Sequence, residues 1–144
     1  MAEQNYANHT RLVPPFHYVL LPILLLTLIE SIVNLIQSWG DHERLYSAAL
    51  IVALSFAGFL TAFFGRVFAL KAQDRAIRAE ENLRHFAMTG KLLDKRLSAL
   101  QIVALRFASD GEFVTLAQKA ALESMKPADI KQAVKNWRTD DYRV

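Results

Sequence analysis

The sequence predicts an all-α integral membrane protein: a helical hairpin whose second span runs on as a long cytoplasmic helix, followed by three short cytoplasmic helices. Three observations carry that expectation. Two apolar runs, residues 16–36 and 46–65, each match the roughly 30 Å bilayer core when coiled at about 1.5 Å per residue. Lys and Arg are distributed unevenly around those runs. Behind them lie three sets of helix-start signals.

The elements follow in order. Residues 1–15 form a polar leader that ends in Pro14-Pro15, a pair that blocks helix before it and prepares a helix start after it. Residues 16–37 read as the first span, with Glu30 as its one charge. The leader carries a single basic residue, Arg11, and no small-residue cleavage site follows the run, so an uncleaved anchor is expected rather than a signal peptide. Pro22 should kink this helix or free a carbonyl near Tyr18. Residues 38–45 are expected to be an external loop holding Arg44 against Asp41 and Glu43. Residues 66–96 carry Arg66, Lys71, Arg75, Arg78, Arg84, Lys91, Lys95 and Arg96, which places that side in the cytoplasm, together with both termini. Tyr6, Phe16, Tyr18, Trp39 and Tyr46 fall where interfacial aromatic belts would lie.

The second span should continue without a break. No Pro or Gly interrupts residues 66–88, and the first stop is Thr89-Gly90, so one helix is expected over residues 46–88. A seam at strict 3-4 spacing follows it from Ala48 and Ile51 through Ser55, Gly58, Ala62, Gly65, Ala69, Ala72 and Ala76 to Ala79, Leu83 and Phe86. Small residues at that spacing let helix backbones approach closely; the partner could be the first span, a second copy or another protein. The charged flanks Arg75, Arg78, Glu80, Glu81 and Arg84 read as a solvated face near anionic lipid headgroups.

Residues 91–144 should form a small helical tail packed on the long helix or on a partner, being near the lower size limit for folding alone. Ser98 and Gln101 form a capping box flanked by Leu97 and Ile102, and Ser109 with Glu112 forms a second, unless Asp110 is the cap. Lys126-Pro127 places proline in a first turn, with Ile130, Ala133, Val134 and Trp137 as one apolar stripe after it. Arg106 interrupts an apolar run and needs a carboxylate, with Asp110 the expected partner and Glu112 or Asp140 as alternatives.

Chemistry-bearing patterns are few. Thr27, Glu30, Asn34 and Gln37 share one face of the first span. Polar groups at that depth either line an ion or proton path or bond across to a neighbouring helix, for Glu30 to Ser55 or Thr61. The absence of cysteine excludes disulfides, thiolate metal sites and cysteine nucleophiles. His9, His17, His42 and His85 show no metal-ligand spacing, and there is no phosphate loop or nucleophile elbow, so neither catalysis nor a metal or cofactor is expected. Lys131, Lys135 and Arg138 are offset by Asp129, Asp140 and Asp141, which argues against nucleic acid as a partner.

The strings QNYANHTRLVPPFHYVLLP (residues 4–22), QIVALRFASD (101–110) and IKQAVKNWRTDDYRV (130–144) resemble a family of small, uncharacterised bacterial two-span membrane proteins. Where that family tends to carry a Ser or Thr cap, this chain has Lys126, which weakens the last cap. The resemblance implies the two-span architecture and a bacterial inner (plasma) membrane, and implies no activity. The expectation is therefore a non-enzymatic scaffold or accessory subunit in contact with membrane lipid, assembled as a homo-oligomer or within a larger membrane complex. The competing expectation is a homo-oligomeric channel with the Glu30 and Asn34 face lining its path.

Overall fold

A computed structural model describes residues 4–10 and 12–140. Residues 1–3, 11 and 141–144, which include Arg11 and Asp141, lie outside the described residues. The described chain is all-helical: a π turn over Pro15–Leu20, then α1 (Leu21–Gln37), α2 (His42–Thr89), α3 (Ala99–Leu105), α4 (Asp110–Leu122) and α5 (Pro127–Ala133). The described residues contain no strand, only an isolated antiparallel bridge between Ala108 and Trp137. Two compact units share α2, one over Leu12–Ala69, the other over residues 4–10 and 70–140.

In the first unit, Pro22 is accommodated by a change of helix type. A proline lacks the N–H for its carbonyl four residues back and its ring collides with that carbonyl, at a cost of about 3 kcal/mol. The chain enters instead through the π turn, in which Leu21 N–H donates to the Phe16 carbonyl five residues back. Pro22, which has no N–H to donate, sits where the π turn gives way to α1 and the bonding changes from five residues back to four. At the far end, Ser38 Oγ donates to the Asn34 carbonyl at 2.8 Å, and Gly40 reverses the chain at φ +99°.

The loop is shorter than the expected 38–45. Asp41 Oδ1 accepts the Arg44 N–H at 3.2 Å, and α2 starts at His42 with Glu43 in its first turn. A capping aspartate followed by an acidic residue suits the positive end of the helix dipole, and this local signal starts the helix before the apolar run begins. Arg66 lies over the Phe16 ring at 5.8 Å, and a Cβ on Gly58 would meet Leu24 Cδ2 at 3.8 Å, so α1 and α2 run antiparallel. The π turn with α1 (Pro15–Gln37) and α2 are each long and apolar enough to cross a membrane, and only 6% of each apolar window is buried.

The second unit has a compact core of Ile102, Leu105, Phe107, Phe113 and Ile130, all fully buried. Helix α2 ends at Thr89, with Gly90 in the left-handed region at φ +72°. The Ser98 capping box forms: Gln101 N–H donates to Ser98 Oγ and Gln101 Oε1 accepts the Ser98 N–H. The second box does not. Ser109 is the N-cap, but its hydroxyl meets Glu112 Oε1 at 3.4 Å, and the Glu112 carboxylate accepts the N–H groups of Lys135 (3.1 Å) and Asn136 (2.9 Å). Those bonds also explain why α5 stops at Ala133 instead of continuing to Trp137. The chain leaves α5 at Val134, bends at Lys135 and Asn136 and pairs across Ala108 and Trp137, with Ser109 N–H donating to Asn136 O at 3.1 Å and Arg138 N–H to Phe107 O at 2.7 Å. Trp137 therefore reaches the core from a bridged, non-helical segment rather than from a helical stripe.

Candidate functional site

The densest polar arrangement lies where the tail meets α2. Glu81 and Arg84 sit one turn apart on the helix face that also buries Ile77 and His85, and they are covered by the tail. Arg84 Nη1 donates to Glu81 Oε2 at 2.9 Å; its Nη2 reaches the Ala108 carbonyl at 2.8 Å; and Nε and Nη2 both meet Asp110 Oδ1, at 2.9 and 2.5 Å. The guanidinium also lies 4.2 Å from the centre of the Phe113 ring. Arg138 approaches the second Glu81 oxygen at 3.5 Å. Sequence reading placed Glu81 and Arg84 on a solvated face, yet their side chains are 6% and 12% exposed.

Glu80, Glu81, Arg84, Ser109, Asp110 and Arg138 line an open cleft of about 630 Å³. The Arg84 hydrogen bonds and charge hold the Asp110 carboxyl below the usual carboxylate range. The Arg84 guanidinium joins Glu81 on α2 to Asp110 at the start of α4, an ionic latch between helix and tail. Among the described residues no three His, Cys, Asp or Glu side chains are grouped to hold a metal ion.

The expected Arg106–Asp110 pair is not made. Arg106 Nε lies 3.0 Å from Asp140 Oδ2, the alternative partner, while Asp110 belongs to Arg84. The reason is geometric: Asp110 opens α4 and turns toward α2, whereas the non-helical residues 134–140 bring Asp140 back toward α3. Asp140 is held further by the leader, its N–H donating to Gln4 Oε1 at 2.8 Å. The polar leader packs on the tail, a contact that its composition does not announce. His9 stacks on Tyr6 (5.6 Å) and packs on Phe107 (5.8 Å) and Trp137 (5.9 Å). Its Nε2 lies 3.0 Å from Lys131 Nζ and its Nδ1 2.7 Å from the Tyr6 carbonyl. With only donors on Lys131, Nε2 accepts and Nδ1 carries the proton. No local signal marks such a contact between residues far apart in the chain.

Thr27, Glu30, Asn34 and Gln37 all remain exposed on α1. The Thr27 hydroxyl donates to the Ile23 carbonyl at 2.8 Å, and that of Thr61 to Ala57 at 2.8 Å, so Thr61 is occupied on its own helix. Among the described residues Glu30 bonds to neither Ser55 nor Thr61. Of the seam, Ser55, Gly58, Ala62 and Ala69 are partly covered, whereas Gly65, Ala72 and Ala76 are exposed.

No curated protein and no solved structure matches this chain. One family model does, across residues 1–144, and it is described as a family of unknown function, DUF6526. With the whole length matched, the chain belongs to that family of unknown function.

Proposed function

We propose that this chain is a non-enzymatic membrane subunit, a scaffold or accessory component that acts by helix–helix assembly in a bacterial inner membrane. The observation that carries the reading is the exposed stripe of Thr27, Glu30, Asn34 and Gln37 on a helix whose other exposed residues are apolar. A carboxylate at that depth costs about 3 kcal/mol against lipid, so the stripe calls for a protein or water neighbour from outside the chain. The large exposed side chains around it, among them Leu26, Ile29 and Ile36, are the surface that lipid would cover.

Topology is supported by the clasp of leader and tail. Gln4 and His9 precede the first apolar helix, Lys131 and Asp140 follow the second, and they are bonded to each other. Two crossings return the chain to the side on which it started, and the basic stretch assigns that side to the cytoplasm. Nucleic acid is not a partner in this reading, since Arg138 and Lys131 are engaged with Glu81 and His9.

Native mass spectrometry of protein extracted gently from its own membrane tests the proposal. A discrete assembly that shrinks on Glu30→Leu with Asn34→Leu supports it; a monomer in the parent protein overturns it. The stripe equally fits a second reading, a homo-oligomeric pore. Vesicles containing the protein would then pass ions, and Glu30→Gln would alter that flux; no flux excludes the pore and leaves the scaffold.

A further inference from the structure

The heptad seam has two different surroundings along α2. In the first unit Gly58 faces Leu24 of the chain's own first helix. Beyond it, Ala72, Ala76, Ala79, Leu83 and Phe86 continue the same 3-4 spacing, uncovered by the described residues: the alanines are exposed, Leu83 is 68% and Phe86 51% exposed. The tail cannot cover this face, because it occupies the opposite one through Ile77, Glu81 and His85.

The charges beside the face select its occupant. With residues 76 and 83 at heptad position a, and 72, 79 and 86 at d, Arg75 falls at g and Glu80 at e. Both are exposed, and among the described residues neither has an ion-pair partner within the chain. In a parallel pair of identical helices, g of one chain faces the e five residues later in the other, so Arg75 meets Glu80 of the second copy, twice by symmetry. In an antiparallel pair g faces g and e faces e, setting Arg against Arg and Glu against Glu. Two copies inserted in one membrane with the same orientation are necessarily parallel.

We infer that residues 72–86 form a parallel two-stranded coiled coil with a second copy of this chain, closed by reciprocal Arg75–Glu80 pairs. The inference rests on the membrane-assembly reading above and names the partner that reading leaves open. Alanines at the seam bring the two backbones close, and Leu83 and Phe86 seal the end nearest the tail.

The chain has no cysteine, so single substitutions report contact directly in native membranes. Ala76→Cys, Ala79→Cys and Leu83→Cys should oxidise to dimers, and the exposed off-face Arg78→Cys should not, since a disulfide requires Cα atoms within about 7 Å. In the Ala79→Cys background, Arg75→Glu or Glu80→Arg alone should lower dimer yield about fivefold, and the two together should restore it. Equal cross-linking at Arg78→Cys, or yields indifferent to the charge reversals, would overturn the inference. No cross-link beside a heteromeric native mass would overturn the second copy while leaving membrane assembly standing. No cross-link beside a monomeric mass would overturn both.

Discussion

Arg84 holds together four groups: the Glu81 carboxylate one turn before it and, distant in sequence, the Ala108 carbonyl, Asp110 and the Phe113 ring. Glu81, 6% exposed, depends on this guanidinium and on the more distant one of Arg138. Removing one member of a buried pair leaves the other charge stranded, whereas removing both with apolar replacements is far less costly. Arg84→Met should therefore destabilise the fold by about 3 kcal/mol in thermal unfolding followed by circular dichroism, and adding Glu81→Leu should recover most of the loss. At the exposed turn before α3, Arg96 donates to Asp94 and holds its carboxyl well down, at about 2. The folded state thus binds fewer protons than the unfolded chain between about pH 4 and pH 2, and the stabilisation from Asp94 is present above that window and lost on acidification through it. Asp94→Asn should flatten that part of the acid-unfolding profile; an unchanged profile would show that the pair does not contribute.

Among the elements, the helix ends followed local chemistry closely. The Thr89-Gly90 stop, the Ser98 box and Pro127 at a first turn all stand where their residues placed them, because a cap is satisfied within a few residues of itself. Elements failed where a distant backbone competed. Glu112 serves the N–H groups of residues 135 and 136 instead of its own N-cap, and α5 yields to the bend those bonds hold. The hairpin offers a further test at Gly58. A methyl group there would sit at ordinary contact distance from Leu24, so Gly58→Ala should be tolerated. Gly58→Leu should force α1 and α2 apart, lowering stability by about 1–3 kcal/mol and detectable as a lower midpoint in detergent unfolding.

For the whole molecule, the contact of leader with tail ties the two ends of the chain together. The proposed topology predicts a simple labelling pattern. A membrane-impermeant thiol reagent applied from outside should modify Trp39→Cys and spare Ala7→Cys and Thr139→Cys until the membrane is opened. Labelling of either terminal position from outside would refute the hairpin orientation. Loss of the clasp by His9→Ala would uncover part of Phe107 and Trp137, and the tail should become more susceptible to limited proteolysis.

The sequence by itself determined the helical class, both long apolar helices and the helix starts of the tail, since each depends on periodicity or on a cap read over a few residues. Glu30, Asn34 and the seam were visible there too, but only as residue types on a face. The tertiary structure alone decided who meets whom: Arg106 with Asp140, Arg84 with Asp110, Gly58 with Leu24, and a leader bound to the far end of the chain. The physical reason is degeneracy. A buried guanidinium demands a carboxylate but does not specify which one, and several stood within reach in the sequence. Only the fold, by placing Asp110 at the start of α4 and returning residues 134–140 to α3, sent Asp110 to Arg84 and Asp140 to Arg106.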